Sequence, residues 1–210
     1  MDQLKEGLLK RGHKFRTNTD SEVIVHLYEE LKEDFVHKLN GDFAIALWDE
    51  KEKKLLLFRD RLGIRPLYYA VSGDSLIFAS EIKPILTTNL VEKRLNKPAV
   101  DKFLTLRYIP GNDTLFEGIK RLPPASLLIY RKGSFKIEKY WHIDYEPKVK
   151  DSSSQTEKFT ELFENSVKIR LMSDVPLGAY LSGGVDSSSI VAFMAKFSGC
   201  VKTFSLGFNS

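Results

Sequence analysis

Ser182-Gly183-Gly184-Val185-Asp186-Ser187-Ser188 stands where a strand should end and a helix begin, and such a junction binds phosphate. Upstream, residues 176–181 (Pro-Leu-Gly-Ala-Tyr-Leu) read as a short buried strand. Downstream, Ile190, Val191, Phe193, Met194 and Phe197 recur at helical spacing before a stop at Gly199. The two glycines let backbone approach a ligand closely. The unpaired N–H groups of the first helical turn, with the positive end of the helix dipole, face an anion. Hydroxyls of Ser182, Ser187 and Ser188 can donate to phosphate oxygens, and Asp186 is placed to hold either the helix start or a magnesium ion riding on the phosphates. There is no Gly-x-x-x-x-Gly-Lys, and no lysine lies between Leu181 and Ala195, so this is not a Walker loop. A glycine turn before an ordinary capped helix is the alternative reading of the same residues. A serine nucleophile at Ser182 is disfavoured because residues 178–182 break the Gly-x-Ser-x-Gly elbow.

At 210 residues the chain suffices for one large domain or one and a half ordinary ones. Its 42% hydrophobic and 29% charged residues are those of a soluble globular protein, and no apolar run approaches the ~18 residues of a membrane span. The mixed-charge start, Met1-Asp2-Gln3-Leu4-Lys5-Glu6, is no signal peptide, and a cytoplasmic location is expected. A single cysteine, Cys200, excludes an internal disulfide and fits a reducing compartment. The net charge of +4 does not point to nucleic acid, because bases and acids interleave. Asp49-Glu50-Lys51-Glu52-Lys53-Lys54, for example, reads as a solvated hairpin turn. His13, His26, His37 and His142 lack the i, i+4 or Cys/His spacing of a metal site, which predicts ordinary surface or packing roles.

Leu4, Leu8 and Leu9 predict a first helix, followed by a turn at Arg11-Gly12 and an edge segment at 13–15. Thr19 and Glu22 form a capping-box pattern for an amphipathic helix carrying Val23, Leu27, Tyr28 and Leu31. A second helical stretch with Phe35, Val36 and Leu39 should end at Asn40-Gly41. The period then changes to that of strands, predicting one hairpin from 43–48 and 55–58 and another from 67–71 and 76–79. Residues 80–83 resume a helix that Pro84 should check. Helices alternating with hairpins make this part α+β. Between Tyr145 and Gln155 the chain is polar and aperiodic, which marks a linker. Phe159, Leu162, Phe163, Val167 and Leu171 then line one face of a helix, and Phe204, Leu206 and Phe208 alternate as a final strand.

Residues 182–188 resemble the PP-loop of the ATP pyrophosphatase superfamily, whose members cleave ATP between the α and β phosphates. The runs 41–49 (Gly-Asp-Phe-Ala-Ile-Ala-Leu-Trp-Asp), 59–69 (Arg-Asp-Arg-Leu-Gly-Ile-Arg-Pro-Leu-Tyr-Tyr) and 79–83 (Ala-Ser-Glu-Ile-Lys) resemble the rear half of a class II glutamine amidotransferase domain. Residues 114–124 are similar to the segment joining that domain to an ATP-using synthetase domain. In this order the motifs resemble the glutamine-hydrolysing asparagine synthetase family over nearly the whole chain.

The resemblance implies an Ntn-type α+β amidotransferase domain over 1–140, lacking its N-terminal part, with a connecting segment from about residue 87. A linker over 141–154 follows, then the start of an α/β doubly wound PP-loop domain over 155–210. It implies ATP and Mg2+, with glutamine, aspartate and ATP as small-molecule partners, no nucleic acid, no membrane, and a homodimer of the full-length protein. Nucleotide contacts fall on Leu181 and Leu206, pyrophosphate contacts on Ser182, Gly183, Gly184, Asp186, Ser187 and Ser188, with Asp186 as the magnesium candidate. Asp20 matches the aspartate that pairs with the α-ammonium group of glutamine; a plain helix cap is its other reading. The family's nucleophile is an N-terminal cysteine whose own α-amine is the base. This chain starts Met1-Asp2, and Cys200 lies in the other domain, so no catalytic residue is assigned and an internal fragment of a longer polypeptide is expected. Related alternatives are an amidotransferase acting on another carboxylate and a non-catalytic homologue.

Overall fold

The run Asp49 to Lys54 is polar because it turns, and the apolar residues flanking it pair across the turn. In the computed structural model, which describes residues 2–145, 152–173 and 175–207, β1 (Ala44–Asp49) and β2 (Lys54–Arg59) are antiparallel, with Ile45 opposite Phe58 and Leu47 opposite Leu56. Asp49 locks the turn. Its Oδ1 accepts from the N–H groups of Lys51 (3.0 Å) and Glu52 (2.9 Å), and its Oδ2 accepts from the Tyr28 hydroxyl at 2.7 Å. β3 (Tyr68–Ser72) and β4 (Ser75–Ala79) form the second hairpin, turning at Gly73, whose φ of +56° suits glycine. Both hairpins are as the sequence predicts. β5 (Ile119–Arg121) joins the second hairpin in the order β4-β3-β5, while β6 (Ser126–Arg131) and β7 (Ser134–Lys139) extend the first in the order β1-β2-β6-β7.

The strand period of two distributes the core into layers. Leu56 and Phe58 of β2 and Leu127 of β6 point to one face, where they bury Leu8 of α1 (Asp2–Lys10), Val23 and Leu27 of α2 (Asp20–Leu31), and Phe35 and Val36 of a 3-10 helix (Lys32–Lys38). Leu57 and Leu128 point the other way and meet Tyr69 of the second sheet together with Leu67 and Leu122, which flank its strands β3 and β5. Ala70 and Ile119, on the far face of that sheet, are closed by Ile85 of α3 (Ile82–Thr87). The result is helix, sheet, sheet, helix, the α+β class expected. Each fully buried leucine or phenylalanine contributes about 1.5–3 kcal/mol.

Local departures have local causes. Thr19 occupies the N-cap of α2 but makes no side-chain cap bond, because Glu22 reaches past it to the N–H groups of Arg16 (2.7 Å) and Thr17 (2.6 Å). Lys32, at φ 51°, breaks α2, so the stretch around Phe35 is a 3-10 helix rather than a second α-helix. Residues 13–15 form no strand. α3 starts at Ile82 and runs through Pro84, which sits in the first turn where no N–H is needed. α4 (Lys97–Leu106), unforeseen in the connecting segment, is capped by Asn96, whose Oδ1 accepts from the Ala99 N–H at 3.3 Å, and carries Pro98 in its first turn.

The chain divides into two compact units, 1–144 and 145–210. Of the expected linker, residues 146–151 lie outside the described residues. In the second unit α5 (Ser152–Lys168) is followed by β8 (Gly178–Tyr180), α6 (Val185–Ser198) and β9 (Lys202–Phe204). β8 and β9 pair in parallel, Gly178 with Lys202 and Tyr180 with Phe204, with α6 as the crossover. The strand expected to be buried is not: Tyr180 is 87% exposed, since among the described residues only β9 pairs with it and nothing covers its faces. β9 ends at Phe204, so Leu206 lies past the strand, and Phe208 is outside the described residues. Val167 is buried on α5, whereas Phe159 and Leu162 of the predicted face are exposed; Phe163 packs edge-on against Phe193 of α6, with ring centroids 5.2 Å apart.

Candidate functional site

At the end of β8 two hydrogen bonds fix where the chain leaves the sheet. The Leu181 N–H donates to the Phe204 carbonyl at 2.9 Å, and the Ser205 hydroxyl donates to the Leu181 carbonyl at 2.7 Å. Ser182 and Ser187 then close on each other, Oγ to Oγ 3.0 Å, and Ser187 Oγ donates to the Gly184 carbonyl at 3.2 Å. Gly183 has a φ of +81° and open space around the position of a Cβ, so the turn requires glycine while its outer side is clear. Gly184 is the N-cap of α6 and provides no side chain to satisfy the first-turn N–H groups. The Ser188 N–H makes the first helical bond, to the Gly184 carbonyl at 3.0 Å.

Asp186 is exposed in this first turn and makes no hydrogen bond or ion pair with the described residues. Its side chain therefore does not cap the helix, whose N-cap is Gly184. A free carboxylate beside unpaired N–H groups and paired serine hydroxyls is a hard oxygen donor next to an anion cradle. The residues 181–188 singled out from sequence are thus brought together. Leu206 is 82% exposed beyond β9 and follows Ser205, whose hydroxyl holds Leu181.

Sequence reading overlooked the surroundings of this loop. Phe159 and Phe163 of α5 and Val185, Ile190 and Phe193 of α6 line a cleft of about 340 Å³ that Asp186 also borders. The signal was present as aromatic residues one helical turn apart at 159 and 163, but that spacing also describes a core-facing stripe.

In the first unit, Asp20 is the first residue of α2, behind the Thr19 N-cap, and is exposed with no partner among the described residues. The loop before it is fixed by Glu22, whose carboxylate is held down to about 2, foremost by the Thr17 hydroxyl (2.5 Å) and then by the Arg16 N–H. Lys5 Nζ donates to Asn18 Oδ1 at 2.8 Å and ties the same loop to α1. Asp20 is left as a carboxylate on a braced loop, suited to a cationic group.

The run Arg59 to Pro66 serves the scaffold. Asp60, buried, accepts from the N–H groups of Leu62 (3.1 Å), Ile64 (2.9 Å) and Arg65 (2.9 Å). Arg59 donates to the carbonyls of Gly63 (2.6 Å), Arg65 (2.9 Å) and Leu122 (2.5 Å), and its burial lowers its affinity for the proton. Gly63, at φ +67°, could carry no side chain, because a Cβ would lie 2.9 Å from Pro124 Cγ. Cys200 is exposed just past the C-cap Gly199 of α6. No helix among the described residues is long and apolar enough to cross a membrane.

Two family models match separate stretches of the chain. The family model described as "Glutamine amidotransferase domain" matches residues 1–141, and that described as "Asparagine synthase" matches residues 158–210. The chain is 39% identical over 196 residues to asparagine synthetase [glutamine-hydrolyzing] 3 of Bacillus subtilis, covering 92% of this chain and 32% of the relative. It is 34% identical to asparagine synthetase [glutamine-hydrolyzing] 1 of the same organism, covering 98% and 33%. It is 36% identical to amidase chry2 of Gibberella zeae, covering 87% and 27%. The chain spans about a third of the length of these relatives.

Proposed function

The chain belongs to the glutamine amidotransferase domain family, by the match over residues 1–141, and from that premise we propose that its protein makes asparagine from aspartate, glutamine and ATP. The observation that carries this is the pair of free aspartates at helix starts, Asp20 in the amidotransferase unit and Asp186 in the loop of the synthetase unit. Asp20 pairs with the α-ammonium group of glutamine, whose side-chain amide is hydrolysed to release ammonia. In the second unit the aspartate side-chain carboxylate attacks the α phosphorus of ATP, so that pyrophosphate leaves and an aspartyl-adenylate forms. Ammonia attacks the acyl carbon of that adenylate, AMP departs, and the amide results.

The chain's own contribution is the cradle. First-turn N–H groups of α6 and the hydroxyls of Ser182, Ser187 and Ser188 hold the pyrophosphate portion, Gly183 and Gly184 let backbone approach it, and Leu181 and Leu206 lie along the nucleoside. The unengaged Asp186 carboxylate fits a magnesium ion, which supplies charge neutralisation on the phosphates. We assign the amidotransferase domain to 1–140, including a connecting segment from about 87, the linker to 141–154 and the synthetase domain from 155 onward, in a cytoplasmic homodimer.

The absence of a γ-phosphate lysine from the loop predicts AMP and pyrophosphate as products. Nucleotide analysis of the complete enzyme supplied with aspartate, glutamine and ATP checks this; ADP as the main product refutes the loop assignment. A second reading is amidation of a different carboxylate, because a loop of the kind at 182–188 would hold ATP phosphates whatever the acceptor. AMP formation that ignores aspartate but responds to another carboxylic acid would establish it.

A further inference from the structure

His13 and His26 are thirteen residues apart in sequence, yet their rings meet at a centroid separation of 4.8 Å. His13 follows the turn that ends α1, and His26 lies in the middle of α2, one turn before Glu29. The two Nδ1 atoms are 3.0 Å apart, and Glu29 Oε2 lies 3.1 Å from His26 Nδ1 and 3.6 Å from His13 Nδ1. A tetrahedral ion with bonds of about 2.0–2.1 Å sets its ligands about 3.3 Å apart, so this triangle already has the required edges.

The protons point the same way. His13 Nε2 lies 3.0 Å from Glu30 Oε1, which can only accept while ionised, so Nε2 carries the proton and Nδ1 presents a lone pair toward His26. Without an ion, His26 must answer with its own Nδ1 proton, shared between His13 and Glu29. That leaves His26 Nε2 buried without a hydrogen-bond partner among the described residues, with Glu22 Oε1 3.8 Å away. A cation between the Nδ1 atoms lets both accept it as lone-pair donors, and the His26 proton moves to Nε2, toward Glu22.

We propose that His13 Nδ1, His26 Nδ1 and Glu29 Oε2 bind a divalent first-row transition ion of the zinc type, with water completing the coordination. Two imidazoles and one carboxylate select such an ion over magnesium or calcium, which take all-oxygen sets. Glu30 is the outer carboxylate that fixes the His13 ring, and an ion pair with Arg11 holds Glu30 in turn. Phe15 packs edge-on against His26 with ring centroids 4.6 Å apart, so the site is braced before any ion arrives. The histidines are less than a fifth exposed and Glu29 is 58% exposed, so the ion enters from the Glu29 side.

The test is titration of the chelator-stripped full chain with Zn2+ alone against a competing chromophoric chelator, repeated with Co2+, whose visible d–d absorption reports the coordination geometry. One ion per chain is expected, with a tetrahedral cobalt spectrum. His13→Asn and His26→Asn should each weaken binding at least about tenfold, and Glu30→Gln, which removes no ligand, by about 10–100-fold. His37→Asn, His142→Asn and Cys200→Ser should leave it unchanged. Absence of saturable binding, full affinity in the double histidine variant, or loss of binding in Cys200→Ser overturns the assignment. Far-UV circular dichroism verifies the fold of each variant. Should the double variant not fold, the exposed Glu29→Gln decides, because unchanged affinity there removes the third ligand.

Discussion

Buried apolar side chains belong almost wholly to the unit over 1–144; among the described residues beyond it only Val167 and Met194 are buried, whereas Tyr180, Val185 and Leu206 are 87%, 82% and 82% exposed. Both units nonetheless form regular helices and strands. The contrast separates two requirements that are usually met together. Local pattern and capping suffice to shape an element, but burial needs a second surface, which the first unit supplies twice over by sandwiching two sheets between helices. The glycine-serine loop at 182–188 belongs to the sparsely covered unit and keeps its shape through hydrogen bonds, from Leu181 to Phe204 and from Ser205 to Leu181, rather than through a core.

Truncation of an aromatic residue in each unit is the sharpest way to break this contrast. Phe58→Ala, at a fully buried position, should destabilise the first unit by about 3–5 kcal/mol. Phe159→Ala, at a 67% exposed position, should change stability by no more than about 0.5 kcal/mol. Urea unfolding of both variants measures this, and equal losses would mean that the second unit has a core after all.

The next effect is on chemistry. If Asp186 holds the proposed magnesium ion, Asp186→Ala in the complete enzyme should lower amide synthesis on the order of 10²-fold while glutamine hydrolysis survives, because the carboxylate braces nothing among the described residues. Unchanged synthesis would reduce Asp186 to a surface residue.

The hairpins were legible because charged or glycine turns at 49–54 and 72–74 interrupt runs with a period of two. The turn from β8 into α6 was legible because its glycines and serines are nearly consecutive. β7 was missed because only Phe135 and Ile137 mark its apolar face, and all six of its residues remain exposed. The 3-10 helix kept the apolar spacing of an α-helix, and only the positive φ of Lys32 betrays the break. The contact of His13 with His26 depends on the turn between α1 and α2, which no spacing rule encodes.

A smaller effect compares helix starts. α4 has a side-chain cap and α6 has none. Asn96→Ala should therefore cost about 1 kcal/mol, read as a lowered urea midpoint with an unchanged slope. No change would show that α4 is held by packing alone.

The smallest effect concerns Glu22. Its carboxylate titrates near 2 in the folded chain against about 4.5 otherwise. Its stabilisation is therefore present above about pH 4.5 and is lost as the pH falls toward 2. Thermal melts across that window should decline less steeply in Glu22→Gln than in the parent; identical slopes would show that the braces to Arg16 and Thr17 carry no weight.

Cys200 offers an optical handle on the proposed nucleotide site. It is the chain's one thiol, exposed, and sits past the far end of a 14-residue helix whose opposite end is the proposed phosphate loop. At about 1.5 Å per residue that helix is about 21 Å long. A dye coupled there lies outside contact range of bound nucleotide yet within reach of energy transfer from a fluorescent ATP analogue, so loop occupancy could be followed in real time without altering any residue of the cradle.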